Sequence, residues 1–507
     1  MKVAIVGSGI SGLSAAWMLN EHSDHEVTLY EKNGTIGGHT NTIDYHKTSQ
    51  GLNDACEQPA NEDDKVPVDT GFIVLNTLNY PNFVNFLAEV GVETIPSSMT
   101  FSVSKGGGNF EWAGTNLYTL FCQAANILNP SFYRMIYDVM KFNMLAPQFL
   151  LLDPLTDPRA SWTLDEYLKE NNYSKAFIDD YLIPMSAAIW STPPDTCLKE
   201  FPALTAIQFM ANHCLLQVEG RPQWRTVKDG SRSYVHRILS KLGDVRTSCP
   251  VVGISTVTPC PETATRAVKV IDQLGGVDYY DHVIIASHAD EALLMLGENA
   301  TPEEKEILSK FKFSTNYAVV HSDISLMPLR KGAWSSWNYL DFDTDSESIA
   351  LSDVTTPPGV SLTYWMNLLQ SIDSTKYGDI FVTLNPSLPP RKESIFAEFE
   401  YTHPIFTVES VAAQARLESI QALPDRHISF AGAWQGYGFH EDGFRAGARE
   451  ACRLGATPPF ELVSPPETDP SKEQKLQDIK YNVINFIDQI FLIFIFPLFS
   501  LLIGEEK

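Results

Sequence analysis

The sequence predicts an α/β protein built on a parallel sheet, and three observations carry that prediction. Residues 2–31 read as strand, glycine-rich turn, helix, strand and acid. A second strand-and-helix pattern, HISFAGAWQGYGFHEDGFRAGAREACR, recurs at 427–453. Between them, HVIIAS at 282–287 is a continuous β-branched run of the kind that parallel strands buried on both faces require. The 507 residues are 44% hydrophobic and 11% aromatic, enough for a large core divided into more than one lobe.

The opening unit is specific because each part has a physical reason. KVAIVG suits a buried strand. Gly7 allows the tight turn, Gly9 lets a pyrophosphate approach the backbone, and Gly12 allows close helix–strand packing. Ile10 and Ser11 open the helix, whose free N–H groups and dipole attract phosphate. Glu31 stands 19 residues after Gly12, where a carboxylate accepts from ribose hydroxyls. An acid there favours an unphosphorylated ribose, hence FAD or NAD over NADP. Just beyond lie Lys32, the pair Gly37-Gly38, and His39. The final unit offers Gly432-Ala433-Trp434 in a turn and Asp442-Gly443-Phe444 at the start of a helix expected over 443–453.

Composition excludes other classes. With 37 basic and 62 acidic residues the formal charge is −25, and no stretch is rich in Lys or Arg. A nucleic-acid partner is not expected. Seven cysteines are scattered, odd in number and never spaced C-x-x-C, which argues against a disulfide framework and against a metal site. The N-terminus lacks the features of a secretory signal and reads as the first strand itself.

The glycine turn, the Gly37-Gly38 pair and the 427–453 run together resemble the flavin-containing amine oxidase superfamily, with its phytoene desaturase relatives. A closer resemblance is to an amine-oxidase-like branch associated with cyclopropane-fatty-acid synthases. It is carried by VDTGFIV (68–74) with Tyr80-Pro81-Asn82-Phe83, by AVVHSD (318–323), WSSWNY (334–339) and TYWMN (363–367), by VTLNP (382–386) and by GFHEDG (438–443). It covers about residues 1–455. It implies a Rossmann-like FAD-binding domain, a mixed α+β substrate domain and FAD as cofactor. Thr70, Gly71 and Phe72 match the stretch beside the flavin ring, and Val251 a strand contacting adenine. Ala433, Trp434 and Asp442-Gly443-Phe444 match the C-terminal flavin contacts. His39 departs from the Arg usual after the glycine pair. The covalent Cys of monoamine oxidases has no counterpart, so the FAD is expected to be noncovalent.

These matches divide the chain into an FAD-binding domain (1–75, 225–295 and 425–455) and a substrate domain (76–224 and 296–424). A linker follows at 456–480. Helices are expected near 81–90, 131–149, 164–171 and 175–190, and a solvated loop over 46–66. The apolar run 490–503, extended back to Tyr481, would reach about 34 Å as a helix against a hydrocarbon core of about 30 Å. Residues 481–503 are therefore a membrane-anchor candidate that spans, lies in the interface or packs on the body, with the body on the cytosolic side.

The chemistry the family implies is hydride transfer from a substrate carbon to the flavin. Many members place a Lys near the flavin, and Lys310, Lys312 and Lys331 match no such motif. His440 and Glu441 are the candidates for proton handling. Asn338, Tyr364 and Trp365, in an aromatic-rich set, are the candidates for substrate contact. The reading that follows is a membrane-associated FAD-dependent oxidoreductase. Its expected substrate is lipophilic, an acyl chain by preference, and its expected partner a lipid-modifying enzyme. A peroxide-releasing amine oxidase, a redox-neutral fatty-acid isomerase and a non-catalytic flavin-bound adaptor are the alternatives.

Overall fold

The computed structural model describes residues 1–46, 64–153, 156–190, 198–217, 222–260, 266–342, 361–421, 423 and 425–464. A five-stranded parallel sheet anchors one half. Its order is Asp244–Arg246, Glu26–Tyr30, Lys2–Val6, His282–Ile285 and Ile428–Phe430. Val3, Ala4, Ile5, Val283, Ile284 and Ile285 are fully buried, which is why these strands read as unbroken apolar runs. One face of the sheet carries the opening helix, Ile10–Glu21. The core of the other face packs Tyr280, Val270 and Ile254, from a three-stranded antiparallel sheet, with Ile285 and Phe430.

The closing helix, His440–Arg453, lies against the opening helix along a seam of small residues. A Cβ on Gly447 would stand 1.9 Å from the Ser11 carbonyl oxygen, and one on Gly443 would stand 2.6 Å from Ile10 Cγ2. Beneath the seam Trp17 meets Phe86 edge-on with ring centroids 4.8 Å apart, beside Phe444. This helix begins three residues before its expected start at Gly443. The Asp442 carboxylate accepts from the backbone N–H of Phe439 (3.1 Å) and Tyr437 (3.0 Å), so the first turn is closed early.

The second half is a seven-stranded sheet ordered 395–405, 312–321, 381–384, 361–365, 337–341, 101–105 and 110–113. Its pairs are antiparallel except 337–341 with 101–105, so the sheet is mixed, as expected. The expected helices form at Pro81–Glu89, Pro130–Leu145 and Leu164–Glu170. The stretch 175–190 is broken by one wide turn at Ile178–Leu182 just before Pro184, which lacks the N–H to continue the ladder. Part of the expected 46–66 loop is strand instead. Thr42–His46 pairs with Lys65–Asp69, because Tyr45, His46 and Val68 are buried. Residues 47–63 lie outside the described residues.

Among the described residues no helix is long and apolar enough to cross a membrane. The anchor candidate 481–503 lies outside them.

The glycine seam gives a direct test. A Gly447→Val substitution forces the two helices apart, and overpacking of this kind costs about 1–3 kcal/mol. Thermal unfolding should show the loss; an unchanged Tm would mean that the helices do not meet at this distance.

Candidate functional site

A cavity of about 850 Å³ runs from the glycine turn, between the two sheets, to the seven-stranded sheet. Its first end is built by the opening unit. Gly7 has φ +106°, and a Cβ there would meet the Ala286 carbonyl oxygen at 2.6 Å, so only glycine serves. Gly9 lines the cavity, and a Cβ placed on it would find nothing within 4 Å. Gly12 lies behind the wall, its Cβ position 1.8 Å from the Gly7 carbonyl oxygen, and sets the helix against the turn. The first backbone bond of the helix runs from Leu13 to Gly9, leaving the N–H groups of Ile10, Ser11 and Gly12 without helical partners.

Glu31 is buried and holds the turn in shape. Its carboxylate accepts from the Ser8 N–H (3.1 Å), the Ser8 hydroxyl (2.5 Å) and the Asn33 N–H (2.8 Å). Gly37 donates to the Ser8 hydroxyl at 3.2 Å from behind the wall, and Gly38 passes Gly9 on the cavity side. Phe72 donates its N–H to the His39 carbonyl at 2.8 Å, so the glycine-pair segment and Thr70-Gly71-Phe72 run side by side along the cavity. Lys32, paired with Glu291 at 2.5 Å, and Val251 line the same end. Gly432, Ala433 and Trp434 close it from the final strand. Asp442, Gly443 and Phe444 stand behind this wall, as cap, helix contact and core.

Five of the described histidines, His39, His213, His288, His403 and His440, line the cavity, and burial lowers every one of them. His39 lies well below the ordinary histidine range, pushed there by burial and by the neighbouring imidazoles; its Nε2 is buried without a partner. It stacks on Tyr401 at 5.1 Å. His403 is lowered to about 4 by burial. Asn316 donates to its Nδ1 at 2.9 Å, which leaves the proton on Nε2. His440 is lowered to about 3 by burial, lies flat on Phe72 at 3.7 Å and shares a 2.7 Å hydrogen bond with the Tyr234 hydroxyl. That hydroxyl also bonds Thr40.

Glu441 does not reach this cavity. Its carboxylate accepts the N–H of Phe83 (2.9 Å) and of Asn82 (3.2 Å) and so caps the distant helix Pro81–Glu89. Burial pushes it up to about 7.

The far end is apolar and aromatic. Tyr364 and Trp337 are register partners on adjacent strands, both line the cavity, and their rings meet edge-on at 5.1 Å. Strand alternation sends the neighbours of each to the other face. Asn338 therefore clamps the sheet, bonding Ser335 twice, Ser102 and Thr363, with its amide fully satisfied. Trp365 packs edge-on against Trp334 and does not line the cavity. Sequence reasoning misses Tyr401 and His403 as cavity residues. The signal is the alternation Phe399, Tyr401, His403 in one long strand. Among the described residues this end holds no lysine, and its one carboxylate, Glu400, is exposed. Lys310, Lys312 and Lys331 are exposed elsewhere.

Residues 10–321 match the family model of the flavin-containing amine oxidoreductases, more than half of the chain. The chain belongs to that family. It is a flavin oxidoreductase. Solved structures share the fold over nearly their whole length. A putrescine oxidase is 16% identical with a TM-score of 0.59, over 90% of this chain and 99% of that one. The CLA-producing fatty acid isomerase from P. acnes is 13% identical at 0.59, over 89% and 98%. Cyclohexylamine oxidase from Brevibacterium oxydans IH-35A is 15% identical at 0.56, over 89% and 98%. Among curated sequences, the 4,4'-diapophytoene desaturase of Staphylococcus aureus is 44% identical over 43 residues, a match spanning only 8% of each chain. The residues present fit the family's flavin. The open face at Gly9, the free N–H groups beside it and the unpartnered His39 Nε2 are the donors a pyrophosphate needs.

Two outcomes follow. Gly9→Val fills the open face without touching the core, so flavin retention should weaken by tenfold or more, about 1.4 kcal/mol, while the Tm of the flavin-free protein stays unchanged. Loss of the apo fold would contradict this. The folded state also raises the Glu441 carboxyl from 4.5 to about 7. The stability it contributes is full below the unfolded value and is lost as pH rises through about 7. Across pH 4.5–7.5 the wild-type Tm should fall relative to that of Glu441→Gln; parallel curves would show that the carboxyl is not raised.

Proposed function

We propose that the chain binds FAD noncovalently and oxidises a lipophilic substrate, an acyl chain by preference, while associated with a membrane. The observation that carries this reading is the far end of the cavity. It is long, aromatic and apolar, its imidazoles are neutral, and no buried carboxylate of the described residues waits there for an ammonium group. Holding a cation in such a place without a counter-charge is costly, whereas a hydrocarbon chain loses nothing by leaving water. When bound, the flavin supplies the hydride-accepting centre. The protein's part is to exclude water, to orient the chain between Tyr364, Trp337 and Tyr401, and to hold the His440 imidazole at a fixed place through Tyr234.

Noncovalent attachment is supported by the cysteines. Of those described, only Cys249 lines the cavity, next to Val251 and away from Tyr364 and His440. The fatty acid isomerase and the desaturase show that acyl and polyene substrates occur among similar proteins. The apolar run at 490–503 supports membrane association.

An anaerobic titration tests the reading. The oxidised flavin band should bleach on addition of free fatty acid or phospholipid and stay with a panel of amines. Bleaching by amines, with peroxide released on admitting oxygen, would overturn it in favour of amine oxidation. A moved double bond without net bleaching would overturn it in favour of isomerisation. A flavin indifferent to every compound would remove turnover altogether.

A further inference from the structure

The outer surface beside the aromatic end carries an unusual concentration of exposed apolar side chains. Leu117 and Tyr118, on a short helix, are 76% and 79% exposed, Leu128 on the next turn is 73% exposed, and Leu329 is 73% exposed. Ile127 and Ile324 join them. These residues come from two distant segments that the fold brings together. The buried Glu111 side chain accepts from the N–H groups of Leu329 (2.6 Å) and Arg330 (3.1 Å), while its own carbonyl accepts from Asn126 (2.9 Å). A Cβ on Gly332 would lie 3.4 Å from Cys122 and 3.9 Å from the Tyr118 ring.

Two further observations say what this surface meets. The first is charge. The chain holds 62 acidic residues, about one in eight. Yet no acidic residue lies between Glu111 and Asp138 or between Asp323 and Asp341, and with Arg134 paired to Asp138 and Arg330 to Glu111 the basic group these segments offer at the surface is Lys331. Lys331 sits over the Trp334 ring at 5.5 Å, its stem on apolar surface and its ammonium free to reach headgroups. A chain of net charge −25 is repelled as a whole by an anionic bilayer, and these two segments add no exposed acid to that repulsion. The second is continuity with the cavity. Gly114 and Thr115 are exposed, line the cavity, and stand two to three residues before Leu117.

We infer that this face docks on a lipid bilayer containing anionic lipid, with Leu117, Tyr118, Leu128 and Leu329 inserted at the headgroup boundary and the cavity mouth opening beside them. The inference rests on the acyl-chain reading above and deepens it: the substrate is taken from the membrane rather than from water. Exposed apolar groups with an aromatic at the rim and a lysine alongside are the chemistry of shallow interfacial insertion.

Hydrogen–deuterium exchange of the full-length flavoprotein tests it, with and without phosphatidylcholine vesicles containing phosphatidylglycerol. Amide exchange over 116–129 and 324–331 should slow several-fold with vesicles, while the turn around Leu274, 84% exposed on the antiparallel sheet, keeps its rate. A Leu117→Asp, Leu128→Asp variant should lose that protection, float less with vesicles, and retain its flavin. Protein that floats with vesicles while both segments exchange unchanged would overturn the inference. So would slow exchange before any vesicle is added, which would mean that the chain itself or a second copy covers the patch. Protection with vesicles but no bleaching by any lipid would strike the acyl-chain reading alone.

Discussion

One close approach of backbones sets the rest. The glycine turn, the opening helix and the closing helix meet where no side chain fits, at Gly7, Gly12 and Gly447, with carbonyl oxygens 1.8–2.6 Å from where a Cβ would be. That contact fixes two things at once. It joins the helices that follow the strands Lys2–Val6 and Ile428–Phe430 of the parallel sheet, and it presents the first turn of the opening helix, with unpaired N–H groups, to an open space. Open space therefore persists at Gly9, where a Cβ would meet nothing within 4 Å. The same seam places His440 at the start of the closing helix, on the ring of Phe72.

The electrostatics of the cavity's aromatic end are those of neutral buried groups. Burial lowers three imidazoles below the range in which they would charge at neutral pH, and neighbouring imidazoles lower His39 and His403 further. At the aromatic end the buried wall thus offers hydrogen-bond donors and acceptors without a buried charge, while Glu31 and the Lys32–Glu291 pair stand at the other end. Family membership gives the chemistry, and the aromatic end gives the argument for what is oxidised.

Features local in sequence are legible in the sequence itself. The glycine turn, Glu31 and the apolar strands announce themselves because their causes lie within about thirty residues, the length of one strand–helix–strand unit. Features set by pairing between distant segments are not legible in this way. Whether Asn338 or Trp337 faces the cavity depends on register with Tyr364, and a shift of one residue would exchange them. Glu441 stands next to His440 in sequence, yet its carboxylate serves a helix 358 residues away at Phe83. The early start of the closing helix follows from Asp442 reaching back to Tyr437 and Phe439, a local interaction that the glycines around it conceal. Tyr401 escapes notice because its alternation lies in a charged stretch.

The central claim is that the glycine-walled cavity holds FAD without a covalent bond. Acid precipitation of the purified protein, followed by chromatography of the supernatant, tests it most directly. The account predicts about one FAD released per chain and a colourless pellet. Flavin retained in the pellet would contradict noncovalent binding, and a supernatant holding a nicotinamide nucleotide or no cofactor at all would contradict the account itself.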